Sequence, residues 1–212
     1  MIVEHRSRRP RIDASATIAP GAVISGDVEI GAHTVVLAGA VVTAQGAPVR
    51  IGENCVLMEH TVIRGAGRYP CHLADHVLVG PHSHVAGAAI GRRCFIATGA
   101  SVFNGAILEE GVIVAINGIV HIATRCPAGT FVPMAHIAFG DPAKIYPPTE
   151  APSVHRLITG LGFTKTVFGF DSAGLADPSA IEELCRRYAR SLARHRDDQV
   201  VQDRNSPRSE TH

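Results

Sequence analysis

The sequence has no tryptophan, and only 5% of its 212 residues are aromatic. A core nested around large rings is therefore excluded, although 46% of the residues are hydrophobic, enough to bury a sizeable interior. That interior must be built from Val, Ile, Leu and Ala, and the 21 glycines point to many tight corners. Neither positive nor negative charge is in excess. The formal net charge is +1, so no global field favours nucleic acid or an anionic membrane as a partner. No apolar run approaches the roughly 18 residues of a membrane span, and the first twenty residues carry no apolar core of a signal peptide. A cytoplasmic location is expected. Cysteine pairing is also absent as a pattern. Cys55, Cys71, Cys94, Cys126 and Cys185 are scattered and odd in number, with no C-x-x-C spacing, which excludes a zinc knuckle or a redox dithiol and leaves free, mostly buried thiols.

What is present is a period of six. Aliphatic residues recur at Ile12, Ile18, Ile24, Ile30, Val36 and Val42. After a three-residue insertion containing Gly46 and Pro48, they resume at Ile51, Leu57 and Ile63. The stretch GAGRYPCH interrupts the beat, which returns at Leu73, Val79 and Val85, shortens by one residue to Ile90, and runs on to Val132. Small or branched residues precede many of these aliphatics by two, as at Ala16, Ala22, Val28 and Thr34. Neither a 3.6-residue helical period nor simple alternation fits. A hexapeptide solenoid does: each hexad is a short strand plus a corner, three hexads make a triangular coil, and stacked coils bury a continuous aliphatic column.

The predicted organisation follows. Residues 1–10 form an N-terminal extension, 11–148 the β-helix, 149–176 a proline-stiffened connector docking on it, 177–198 a C-terminal helix, and 199–212 a disordered tail. The helix carries start and stop signals: Asp177 as N-cap, Pro178 at the first position, Glu182 and Glu183 early and arginines late. Ile181, Leu184, Cys185, Tyr188 and Leu192 share one face, suited to packing on the solenoid or a partner.

IGENCVLMEHTVIRG, LADHVLVGPHSHVAG, AAIGRRCFIATGASVFNGAIL and VPMAHIAFGDPAK together resemble the γ-class carbonic anhydrase family of hexapeptide proteins. The resemblance covers about two thirds of the chain. Its specific elements are the loop insertion after the ninth hexad, the shortened hexad between Val85 and Ile90, and the C-terminal helix. It implies a left-handed β-helix and a homotrimer with sites between subunits, where three histidines hold zinc and one position stays open for water. The residues matching those histidines are Arg64, Pro81 and Ala86, none of which offers zinc a ligand. The Arg-x-Asp of the family falls at Ala38 and Ala40 and is absent. Its acidic residue in the next coil is kept in kind as Glu59.

Other histidines gather near that place. Hexads three apart share a column, so His60 and His82 should stack, with Gly99 and Asn117 continuing the line. Arg64, Ala86, Phe103 and His121 should form the adjoining row, with His84 just before it. Three uses are open. They line a trimer interface; or they form a rebuilt site, with His82 or His84 as base, Glu59 orienting it and Arg64 clamping an anion; or His60, His82 and His84 form a shifted metal site. The leading functional expectation is a homotrimer binding or converting a small anionic or carbonyl compound without the usual zinc. An acyltransferase using coenzyme A and a non-catalytic scaffold are the alternatives. The remaining histidines, His5 and His195 among them, are expected to be structural or solvated.

Overall fold

The computed structural model describes residues 1–160 and 178–201. The hexads form the predicted parallel β-solenoid, and its three faces are three sheets of stacked short strands. The first face runs from Arg11–Ile12 through Val28–Ile30, Val49–Ile51, Cys71–Leu73, Ala89–Ile90 and Ile107–Leu108 to Arg125–Cys126. The second includes Val35–Val36, Val56–Leu57, Leu78–Val79, Phe95–Ile96, Ile113–Val114 and Phe131–Val132. The third includes Val23–Ser25, Val41–Ala44, Val62–Gly65, His84–Ala86, Ser101–Val102, Ile119–Val120 and Ile137–Phe139.

Every coil returns its chain to the same height on each face, so pairing is in register with the repeat. Leu57 lies beside Val79, then Ile96, then Val114, and Ile63 lies between Val42 and Val85. These inward residues are buried. Each removes an aliphatic side chain from water, which stabilises the fold by roughly 1.5–3 kcal/mol per side chain. Between coils, backbone amides donate along the stacking axis, as Val56 does to the Val77 carbonyl and Val62 to that of Ser83.

The corners demand a left-handed backbone. Glycine supplies it at Gly39 and Gly99, but His33, His60, His76, His82, Asn54 and Asn117 also hold φ between 53° and 61°. Histidine and asparagine tolerate this conformation better than most side chains. Four of the histidines thus owe their positions in part to a backbone requirement.

The ends differ from expectation. Ile2–Glu4 is a strand of the third face, pairing with Val23–Ser25, so the solenoid begins inside the segment expected to be an extension. Gln199–Val201, expected in a disordered tail, pairs antiparallel with Ile2–Glu4. The sheet edge left open by the first coil has free amides and carbonyls, and this strand satisfies them. In the connector, Pro148–Glu150 is a 3-10 turn and Ala151–Gly160 a helix. The C-terminal helix spans Pro178–Leu192 and tightens into a 3-10 segment, Ala193–Asp197. The expected cap Asp177 and the rest of the connector and tail lie outside the described residues. Among those described, no helix is long and apolar enough to cross a membrane.

Candidate functional site

The three outer faces differ in chemistry. On the first, Arg11, Glu29 and Arg50 interlock through ion pairs, Arg50 meeting Asp27 at 2.8 Å and Glu29 at 3.2 Å; this is a solvated face. On the second, the outward row is Val35, Val56, Leu78, Phe95, Ile113 and Phe131, with Phe131 57% and Phe95 40% exposed. The third carries the histidines and aromatics.

His60 and His82 stand at the corner between the second and third faces. Their rings stack, with centroids 5.2 Å apart and planes 8° apart, and both are exposed. The line continues to Gly99 and Asn117 through the corner hydrogen bonds His82 to Glu59, Gly99 to Pro81 and Asn117 to Thr98, each amide donating to the carbonyl. Glu59 meets His82 through that backbone carbonyl; among the described residues its carboxylate forms no ion pair with a histidine.

On the third face Arg64 is in register with Ala86, and His84 with Val62 and Ser101. The row beyond Ala86 is Phe103, His121 and Phe139, in ring contact at 5.9 and 5.7 Å, and His84 meets the edge of Phe103 at 6.0 Å. Burial pushes His84 below the usual histidine pKa, and the Arg64 charge adds to that. Burial lowers His121 likewise. Both rings are thereby biased to the neutral form near pH 7. His121 Nδ1 and Arg64 Nε are buried with no hydrogen-bond partner, and one Arg64 terminal nitrogen donates to the Gln45 side-chain oxygen.

His84 makes stability depend on pH. Its folded-state pKa lies below its unfolded value of about 6.5, so the unfolded chain takes the proton first as pH falls, and stability declines below about pH 6.5 until the folded pKa is passed. His84→Gln should flatten the decline in urea midpoint between about pH 7 and pH 5, compared with the parent. An unchanged slope would show that His84 is protonated equally in both states.

The sequence-predicted residues therefore divide. His84, His121 and Arg64 share the third face, while His60 and His82 form the adjoining corner. His60, His82 and His84 do not gather as three ligands around one point: among the described residues, the group that does so is His5, His195 and Asp198, with ligand atoms within 4.8 Å of one another. Periodicity does not reveal that cluster, because His5 and Asp198 lie 193 residues apart and only the pairing of the two terminal strands unites them. His5 Nδ1 donates to Asp198 Oδ1 at 2.5 Å and His195 Nδ1 to Oδ2 at 2.8 Å, since an ionised carboxylate only accepts. The rings lie face to face, 4.3 Å apart with planes 21° apart. Nearly parallel, stacked rings hold their lone pairs in separate layers, whereas an ion needs them to converge on one point. The arrangement is a hydrogen-bonded clasp on the C-terminal strand. Burial works to raise the Asp198 carboxyl, but the hydrogen bonds and charges of His195 and His5 outweigh it and hold the group below its usual range.

Four cysteines are buried and Cys185 is exposed. Burial pushes Cys71 up to about 12 and Cys126, with Cys94 nearby, to about 11, so neither is a thiolate nucleophile near neutral pH.

No protein-family model matches the chain. The mitochondrial γ carbonic anhydrase 2 of Arabidopsis thaliana is 27% identical over 159 residues, covering 68% of this chain and 55% of that protein. A carbonic anhydrase of Geobacillus kaustophilus is 29% identical over 111 residues, covering 52% of this chain and 61% of the relative. The chain spans about half the length of the first curated relatives it matches. The crystal structure of a hexapeptide transferase family protein from Anaplasma phagocytophilum has a TM-score of 0.52, covering 80% of this chain and 98% of that one at 23% identity, a likeness of fold. The zinc implied by the resemblance does not fit here. A guanidinium engaged with Gln45, a proline ring and a methyl group stand at the positions where the resemblance implies imidazoles, and none of the three is a zinc donor. Coil architecture and relatives together make this chain a hexapeptide-repeat β-solenoid similar in sequence to γ carbonic anhydrases, with Arg64, Pro81 and Ala86 at the positions where the resemblance implies zinc histidines.

Proposed function

We propose that the protein is a homotrimer in which the third face of one subunit meets the apolar second face of the next, and that the seam binds or converts a small anionic or carbonyl compound. The observation that carries this reading is a pair of buried, unpartnered polar atoms, Arg64 Nε and His121 Nδ1, beside a face whose outward row is apolar from Val35 to Phe131. Leaving such polar atoms without a partner costs about 1–3 kcal/mol each, which a ligand or subunit can recover. An exposed apolar ladder of this length calls for a partner surface, and a face that packs on a different face makes a ring when its rotation closes, here after three subunits. In this seam neutral His84 is the base, Arg64 holds the anionic end of the ligand, and His60 and His82 edge the entrance.

Light scattering on the full chain should give the mass of three chains. A thermal-shift screen of bicarbonate, small carboxylates and acyl-CoA thioesters should then find a stabilising compound whose effect is lost in His84→Ala and Arg64→Gln. A ligand at 100 times its Kd stabilises by about 2.7 kcal/mol, well within the range of the method. A monomer in solution would sink the seam. Stabilisation by acyl-CoA thioesters alone would favour the acyltransferase reading, which the likeness to a hexapeptide transferase supports at the level of fold. A trimer with no ligand response would favour a scaffold.

A further inference from the structure

We propose a second binding site, formed within a single chain, for a small phosphorylated compound. It lies where the third face turns toward the first, under the end of the C-terminal helix, in a cavity of about 360 Å³. The insertion loops at Gln45–Gly46 and Ala66–Gly67 form one wall, the turn after Ile2–Glu4 a second, and the helix end a third. Its charged lining is entirely cationic: Arg6, Arg64 and Arg194, with His5 and His195 beside them and no Asp or Glu.

Three guanidiniums around one space repel unless an anion joins them. Among the described residues neither Arg6 nor Arg194 forms an ion pair, and Arg64 Nε has no partner. Asp198 accepts from the Nδ1 of both histidines, so the guanidiniums are left to carry the anion. A monocarboxylate would answer one guanidinium. A phosphoryl group brings a charge of about −1.5 to −2 and three acceptor oxygens, and the arginine fork matches its geometry. Asn104 on the coil side offers an amide to the uncharged part of the ligand. The volume lies within the range of small-molecule sites, roughly 300–1,000 Å³.

The site shares Arg64 with the seam but needs no second subunit, so the two proposals can fail separately. A monomer that binds pyrophosphate would overturn the trimeric reading and leave this one intact; a trimer that does not would do the reverse. Calorimetric titration of the full chain in about 0.15 M salt should show one pyrophosphate per chain, bound at least about tenfold tighter than succinate. Arg6→Gln and Arg194→Gln should each weaken it about tenfold or more. Both residues are exposed, so the fold should survive, as circular dichroism would verify. Arg92→Gln removes the same charge at a distant corner where Arg92 meets Asp75, and should leave pyrophosphate affinity unchanged. Absence of binding, equal weakening by Arg92→Gln, or succinate binding as tightly as pyrophosphate would each overturn the proposal.

Discussion

Ile63→Ala should lower the unfolding free energy by about 3 to 4 kcal/mol, and the melting temperature of a chain this size by roughly 10 °C. Ile63 is fully buried and held between Val42 and Val85 on the coils below and above. The cavity left by truncation cannot close, because the height of each coil is set by backbone hydrogen bonds on all three faces and not by the side chain that was removed. In a stacked array each coil is stabilised by its neighbours, so the loss should also appear as faster amide exchange in Val41–Ala44 and His84–Ala86. Ile63 stands between Val62 and Arg64 on the site strand, and the same variant should therefore weaken any ligand response that depends on Arg64. A change under about 1 kcal/mol in the stability derived from the urea midpoint would mean that the column is not packed as described.

Asp198→Ala should cost about 2 to 3 kcal/mol, chiefly by orphaning His5. That ring is 4% exposed, and without Asp198 its Nδ1–H has no acceptor; a buried donor left unpaired costs roughly 1–3 kcal/mol, with a smaller share from the more exposed His195. Amide exchange in Gln199–Val201 should rise, since the clasp fixes that strand against Ile2–Glu4. The sign of the pH effect is definite. The folded carboxyl lies below its ordinary pKa of about 3.9, so its contribution is complete above that value and is lost as pH falls through the lower folded pKa. Asp198→Asn should be less stable than the parent at about pH 6 and converge with it in strong acid. Parallel stability curves for the two proteins would show that the clasp carries no weight.

The histidines show how far a linear pattern reaches. The six-residue beat was legible because burial imposes it: any residue at the inward position of a coil must be aliphatic or small, so Leu57, Val79, Ile96 and Val114 announce their column without a structure. The stacking of His60 on His82, and the row Arg64, Ala86, Phe103 and His121, follow from the same arithmetic, and the structure has both. Two features were not legible in this way. The left-handed φ at His60 and His82 is a property of the corner that any of several residue types satisfies, so the histidines there look more purposeful in sequence than the backbone requires them to be. The direction of the Arg64 side chain is the other. Its position on the third face is periodic, but its turn toward Gln45 depends on the length of two insertions that lie outside the repeat.

The solenoid, its core and the stacking of its columns are dictated by the sequence, because each of these is repeated or local and is enforced by burial at a fixed spacing. The placement of Gln199–Val201 and of the helix end before it emerged from the folded molecule alone. Gln199–Val201 closes the open edge of the first coil, Asp198 ties His5 to His195, and the helix end roofs a cationic cavity beside Arg64. Those contacts join residues nearly the whole chain apart, each made once. A contact made once leaves no period to read, and its energy comes from satisfying a single edge and a single buried donor.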